Sequence, residues 1–508
     1  MTTHYAVSDQ KRPSLNDCFP DARRFAQVAK RQSNPLDAGR AHATSRCCAV
    51  LNLLTLTSRG GRLLLRKIRH EIRHKLSIWL FYGDFWRLFV DEIFAIIVAM
   101  TAANSKYPYY AVHQMHPLLP SEPKLDGLRP LAADVIGRAK DLAAHGMPHL
   151  RELLREALRP MNSYYTNKIE GQHTEPLLIE RALLQDFSKK PDEARKQRIA
   201  VAHIVTERWG EATFPTFDSN AFFDASVPQA IHRHLHDQLS PEDLLQIDDD
   251  GKEEKITPGV WRDRGVKVGS HIPPDPSTLS DFMGEWHRSY RYARAGETAV
   301  IALLAAHHRL AWIHPFLDGN GRTARLHTHS GLSALGLTQG LWSPMRGFAR
   351  DQSGYYEHLI AADRRRKGDY DGRGVLSESG LVEFIAFCMN LSLHQIGFMD
   401  GMLQIPAFEA RLAQMLAAEA TKSDTRFLRA EAAQPLAYLA TIKSIDRTRF
   451  KAMMGLASRT ADRVLADLFK LGIVRSRTAK GPIELALPIT LFRYLFPRLW
   501  PEAEADAA

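Results

Sequence analysis

The chain has 508 residues, 45% of them hydrophobic and 24% charged, the balance of a folded soluble protein too long for one ordinary core, so two or three domains and a tail are expected. Four cysteines, with Cys18, Cys47 and Cys48 in the first fifth and Cys388 alone beyond it, exclude a disulfide scaffold or a cysteine-based zinc site and point to a reducing, cytoplasmic setting. The net charge of +10 sits at the two ends: 16 Lys/Arg against 8 Asp/Glu (+8) in residues 1–99, 14 against 6 (+8) in 423–499, −3 in the tail and, by difference, −3 in 100–422.

Residues 1–99 are Arg- and His-rich and show no helical period before Arg62, so a poorly structured basic extension is expected there. Two readings stand open, a cationic arm or codons upstream of a start at Met100, where Met-Thr-Ala-Ala-Asn-Ser-Lys reads as an ordinary bacterial beginning. The first twenty residues are polar and lack a secretory signal. Ser77–Met100 is apolar over 24 residues, but Asp84, Arg87, Asp91 and Glu92 lie inside it. Each such charge costs about 2.5–3.5 kcal/mol at a bilayer centre, which argues against a span.

From Leu128 to Leu158 apolar residues recur every three or four positions, the mark of amphipathic helices, and 100–215 reads as an N-terminal helical region. Within it, Thr166-Asn-Lys-Ile-Glu170-Gly171 puts Thr and Glu four apart on one helical face, with glycine at a natural helix end. A glutamate at a helix C-terminus opposes the dipole and needs a cation partner. Helical periods return at Val227–Leu239, Leu279–Ala293, Thr298–Trp312, Arg325–Leu335, Tyr355–Arg366 and Leu381–Met402. Short hairpins are expected around Gly265–Pro273, where Val266, Val268 and Ser270 alternate, and near Ile473–Leu487.

The chemistry concentrates in His314-Pro-Phe-Leu-Asp-Gly-Asn-Gly-Arg-Thr-Ala-Arg325. Pro315 forces His314 out of helical geometry, and Asp-Gly-Asn-Gly supplies a turn facing the N-terminus of a new helix. Backbone N–H groups there, with Arg322 and Arg325 three residues apart, make an anion cradle suited to phosphates. Asp318 suits a hard cation such as Mg²⁺, and His314 can take a hydroxyl proton near neutral pH. Together they suggest attack of a hydroxyl on a nucleotide phosphate.

The twelve residues match without a break the signature His-Pro-Phe-x-Asp/Glu-Gly-Asn-Gly-Arg-x-x-Arg, and the chain is identified by it as resembling the Fic family of protein adenylyltransferases. That resemblance, over roughly 110–400, implies a mainly α fold, a Fic-type helical bundle with a short β-hairpin flap, and a Fic catalytic domain at 216–405. It implies ATP and Mg²⁺ as cofactors, His314 as general base and Asp318 as metal holder. Gly319, Asn320 and Gly321 would bind the α-phosphate, with Arg322 and Arg325 at the distal phosphates. The kinase-like branch of the family has Lys where this chain has Gly321. Val266-Lys-Val-Gly-Ser-His-Ile-Pro-Pro274 resembles the flap, whose Val268 and Gly269 would lie along the nucleotide and whose edge would pin a target peptide by strand addition. The stretch from Gly354 resembles the part that meets adenine and ribose, with Tyr356 and Asp363 in those roles.

Thr166, Glu170 and Gly171 resemble the family's inhibitory motif, Ser/Thr-x-x-x-Glu-Gly/Asn, which implies that Glu170 occupies Arg325 and blocks productive ATP binding. Glu170 could instead orient a water that removes AMP from a modified protein. At the C-terminus, Ile445–Met454 and Ser458–Leu471 read as helices with Gly455 at the corner, and two strands follow. Residues 423–500 thus resemble a winged helix-turn-helix ahead of an acidic tail at 501–508. Arg459 and Arg463 on its second helix are compatible with DNA phosphates, and equally with a protein-docking or homodimer module. Three functions remain: protein adenylyltransferase acting on a Ser, Thr or Tyr hydroxyl, AMP-removing enzyme, and nucleotide-sensing transcriptional regulator.

Overall fold

A computed structural model of the chain describes residues 107–144, 148–247, 253–294 and 296–499. The expectations for residues 1–99 and for the acidic tail lie outside the described residues. By its contacts Asn104–Ala508 forms one compact unit, to which the description below refers.

That unit is built almost wholly of helices. The first long pair is α1 (Glu122–Ala144) and α2 (Pro148–Ile169), followed by α3 (Pro176–Leu183) and α4 (Pro191–Thr213). A short turn, α5 (Ser219–Phe222), leads to α6 (Ser226–Asp237), and a two-stranded antiparallel hairpin, β1 (Leu245–Ile247) with β2 (Glu253–Lys255), comes next. Then come α7 (Leu279–Tyr290), α8 (Glu297–Ile313), α9 (Asn320–Ala334), α10 (Pro344–Arg350), α11 (Gln352–Asp363) and the longest helix, α12 (Glu378–Leu403).

Helices α8 and α9 form the centre. Every residue of α8 from Ala299 to Ile313 is buried except Ala311, because its sequence is apolar around the whole circumference. Its neighbours α1, α7, α9 and α12 cover it, while α4, α6 and α2 close over α9. The expected boundaries hold to within a few residues. Residues 128–158 separate into two helices, and α11 stops at Asp363 because Arg364 is extended. Among the described residues α12 is the one helix long and apolar enough to cross a membrane by length and composition, and it packs against α1 and α11.

The expected hairpin at Gly265–Pro273 is shorter than its alternation suggested. It consists of one two-residue bridge, Val268 with His271, closed by both N–H···O bonds at 2.9 Å, while the regular hairpin lies just upstream in β1 and β2. Gly269, at φ +58°, makes the reversal, and prolines 273 and 274 stop pairing on the far side.

Beyond α13 (Ile405–Glu419) come α14 (Ala433–Thr441), α15 (Arg447–Met453), α16 (Ser458–Lys470) and the antiparallel pair β3 (Val474–Arg475) with β4 (Glu484–Leu485), to which Ile445 adds a bridge through Ile483. A final turn, α17 (Phe492–Leu495), returns to α13. The core runs without a break from Met115 to Leu499, and Tyr165 on α2 donates to the Leu499 carbonyl at 3.1 Å. Arg463 stacks over Phe427 at 5.0 Å.

Candidate active site

Helix α8 delivers His314 as its terminal residue in the left-handed region (φ +50°, ψ +60°), a conformation that a residue with a Cβ holds only when its surroundings enforce it. The enforcement comes from Arg262. Its guanidinium is buried and faces only carbonyl oxygens: His314 at 2.8 Å, Ile313 at 3.4 Å, Arg264 at 2.9 Å and Pro274 at 2.7 Å. One side chain therefore ties both ends of the flap to the loop. Burial pulls its pKa down to about 10, still charged at neutral pH. Sequence reasoning missed Arg262, because an arginine between Trp261 and Asp263 reads as a solvated charge.

The imidazole of His314 has a determined polarity. Its Nδ1 lies 3.2 Å from the Ala311 carbonyl, which can only accept, so Nδ1 carries the hydrogen and Nε2 keeps its lone pair. Burial pushes the pKa down to about 4, partly offset by the Ala311 bond, so the ring is neutral at pH 7.

The turn that follows is fastened from within. Asn320 accepts from the Phe316 N–H at 2.9 Å and donates to the Phe316 carbonyl at 2.8 Å, so its side chain holds the loop and only its backbone N–H remains for an anion. Phe316 stacks on His232, with ring centroids 3.9 Å apart. His232 accepts from Gly259 N–H at 2.8 Å and donates to the Asp318 carbonyl at 3.1 Å. Gly319 has φ +74°, and any side chain there would press into His236. The first helical hydrogen bond of α9 runs from Thr323 N–H to Gly319 at 2.9 Å, which leaves the N–H groups of Asn320, Gly321 and Arg322 as first-turn donors without helical acceptors.

Both arginines of the loop are buried and both are occupied. Arg322 reaches back one turn to Asp318 at 3.1 Å; burial opposes the Asp318 charge, but Arg322, the Gly319 N–H and the nearby His236 and His314 together outweigh it and lower the pKa below the ordinary carboxylate value. Arg325 donates from Nε to Thr166 Oγ1 at 2.7 Å and from Nη2 to the Thr166 carbonyl at 3.3 Å, and it forms an ion pair with Glu170. Burial pulls the Arg325 pKa down, and Glu170, with Tyr355 and Tyr356, raises it on balance. Thr166 and Glu170 thus meet the loop at Arg325. Gly171, at φ +67°, ends α2 in a Schellman motif, with Gly171 N–H on Lys168 at 3.0 Å and Gln172 N–H on Asn167 at 2.9 Å, which points Glu170 at Arg325. Glu170 also lies against the Cα of Gly321, where a side chain would collide with it.

The flap and α11 complete the surroundings. Val268 is 42% exposed, His271 Nε2 lies 2.8 Å from the Trp312 carbonyl, and Asp275 N–H is held by Tyr109 at 2.8 Å. Tyr356 is 40% exposed and donates to the Ile169 carbonyl at 3.2 Å, beside Gln352 at 3.1 Å, so α11 caps the end of α2. Asp363 lies 3.3 Å from His308 Nε2 at the other end of α11.

Glu207, Glu211 and His329 bring ligand atoms within 4.8 Å of one another between α4 and α9. Arg159 donates to Glu211 at 2.6 Å, and His329 Nε2 stands 3.1 Å from Glu211 and 3.6 Å from Glu207. The guanidinium and a protonated His329 balance the two carboxylates, so the group reads as a buried ion network rather than a metal site.

Residues 222–332, which hold this loop, its cradle and its buried arginines, match the family model described as Fic/DOC family. Among the chain's curated relatives are proteins named "Protein adenylyltransferase Fic". That of Drosophila erecta is 32% identical over 173 residues, covering 34% of this chain and 31% of the relative; that of Drosophila melanogaster is 32% identical over 175 residues with the same coverage. The chain thus spans less than a third of these relatives' length. Solved structures similar to it include a Fic family protein from Desulfovibrio desulfuricans (TM-score 0.43, 16% identity, 73% of this chain and 99% of that one). Another is a Fic domain containing signaling protein from Bacteroides thetaiotaomicron (TM-score 0.38, 16% identity, 53% and 95%).

Proposed function

We propose that the chain binds ATP at the 314–325 loop and transfers its AMP group to a hydroxyl side chain of a protein held against the flap. The observation that carries this reading is a neutral His314, its Nε2 lone pair free, beside a helix N-terminus with three uncommitted N–H groups and two buried arginines. The acceptor oxygen bonds to the α-phosphorus as the bond to the departing pyrophosphate breaks, and the hydroxyl proton goes to His314 Nε2. The first turn of α9 receives the α-phosphate charge, and Arg322 and Arg325 serve the distal phosphates once their carboxylates let go.

A magnesium ion fits the donor set. Asp318 is ionised, and its side chain is 26% exposed with one oxygen on Arg322, so it can be the single protein carboxylate beside phosphate oxygens and water. When bound, the metal would neutralise phosphate charge. In the resting chain Glu170 holds Arg325, which supports reading α2 as a brake on transfer.

The test is incubation with α-labelled ATP and Mg²⁺, alone and in lysate. Label on a polypeptide, abolished by His314→Ala while ATP binding persists, is the expected result, since a general base is worth about 10²–10⁴ in rate. Full transfer by a folded His314→Ala protein would rule the mechanism out, and label leaving a premodified protein instead would mark AMP removal as the main activity.

A further inference from the structure

Arg325 is held from a second direction that owes nothing to α2. Besides its contacts with Thr166 and Glu170, its guanidinium lies beside Tyr355, a fully buried residue of α11, and the two side chains interact electrostatically. That hydroxyl lies 2.8 Å from Nε2 of His307; Nδ1 of His307 lies 2.7 Å from Thr328 Oγ1; and the Thr328 hydroxyl donates to the Ala324 carbonyl at 3.0 Å.

The proton positions along this chain follow from its two ends. Thr328 has one hydroxyl hydrogen and gives it to a carbonyl, so its oxygen accepts and His307 Nδ1 carries the hydrogen. A neutral His307 then accepts at Nε2, Tyr355 donates to it, and the tyrosine oxygen presents its lone pairs to Arg325. Reversing the polarity would aim the tyrosine hydrogen at a guanidinium. Burial, reinforced by Arg325 nearby, holds His307 far below its ordinary pKa, which keeps the ring neutral.

The chain of bonds ends on α9 itself, at the residue before Arg325, whereas Thr166 and Glu170 belong to α2. Displacing the end of α2 therefore removes one set of Arg325 partners and leaves the other intact. We infer that Tyr355, His307 and Thr328 form a one-way hydrogen-bonded relay that positions the Arg325 guanidinium for the distal phosphates of ATP when Glu170 withdraws. The inference rests on the nucleotide reading above. These are positioning residues, since none of them meets the nucleotide.

The experiment uses the full chain carrying Glu170→Gly, titrated calorimetrically with ATP and, separately, with AMP. Adding Tyr355→Phe or Thr328→Val should weaken ATP by roughly tenfold, the worth of an oriented oxygen facing a buried guanidinium, and AMP by less than about twofold. Thr328→Ser, which keeps the acceptor oxygen, should restore ATP binding. Equal losses for ATP and AMP, no loss, or failure of the serine rescue would overturn the relay. A second readout needs no nucleotide: ¹⁵N shifts of the histidine-labelled chain, with His307 assigned through a His307→Gln variant, should show a neutral ring protonated on Nδ1 from pH 5.5 to 8. A ring protonated on Nε2 would overturn the relay even if ATP binds. With the expected tautomer but no ATP binding to the Glu170→Gly chain, the nucleotide reading falls and takes the relay's stated task with it.

Discussion

A histidine that takes a proton from an alcohol works only while uncharged, and His314 meets that condition with room to spare. Its pKa near 4 means that the neutral fraction is essentially complete by pH 6, whereas an unperturbed imidazole would be mostly protonated there. The base form is gained as pH rises through about 4, so kcat/KM for transfer, which reports the free enzyme, should be flat from pH 8 to pH 6 as far as this group is concerned. A fall with its midpoint near 6.5 in a Glu170→Gly background would show that His314 is not desolvated as described. Arg262 is the other residue with a separable effect. Arg262→Lys keeps the charge but cannot reach four carbonyls at once, and each lost bond is worth about 1–1.5 kcal/mol. Transfer to a protein acceptor should drop roughly tenfold per lost bond, with the melting temperature and circular dichroism showing the chain still folded; unchanged transfer would mean that the flap aligns without it.

At the scale of elements, the end of α2 is the proposed brake. Glu170→Gly frees Arg325, and since breaking a buried charged pair is worth roughly 3–5 kcal/mol, transfer should rise at least about tenfold after discounting for the partial exposure of Glu170. Thr166→Ala should release less, because the carbonyl of residue 166 still accepts from Arg325. Equal labelling by Glu170→Gly and the unaltered chain, with an acceptor present, would return Glu170 to being a helix-end residue. The contact of Thr166 and Glu170 with Arg325 was legible in the sequence because Thr and Glu four apart before a glycine is a local pattern. The flap was legible in place but not in extent: alternation at Val266, Val268 and Ser270 suggested strands, and the two prolines that follow limit pairing to one bridge. The roles of Arg262, His232 and Tyr355 were not legible, because each acts through partners 48 to 86 positions away.

Across the whole molecule, one core ties the C-terminal helices to the Fic domain, and the buried network behind α9 sets how the fold responds to pH. Burial pushes Glu207 up to about 7, and His329, drawn down by burial, is raised on balance by the carboxylates beside it. Both groups have raised folded pKa values, so each contributes stability at low pH that is lost as pH rises, Glu207 between about 4.5 and 7 and His329 above 6.5. Glu211 runs the other way, its pKa held at about 2 against the cost of burial by His329 and Arg159, and its contribution is lost only in strong acid. Glu207→Gln, which can still accept from Asn162, should therefore raise the melting temperature by a few degrees at pH 8 and give no advantage at pH 4. A loss at pH 8 would mean that the Glu207 charge is needed by His329.

The crowding between Glu170 and Gly321 also bears on the size of residue 321. A side chain at 321 would meet the Glu170 carboxylate, the free end of a flexible side chain, so a larger residue there must push that carboxylate off its seat on Arg325. The size of residue 321 and the hold of Glu170 on Arg325 are thus coupled, and enlarging the one loosens the other.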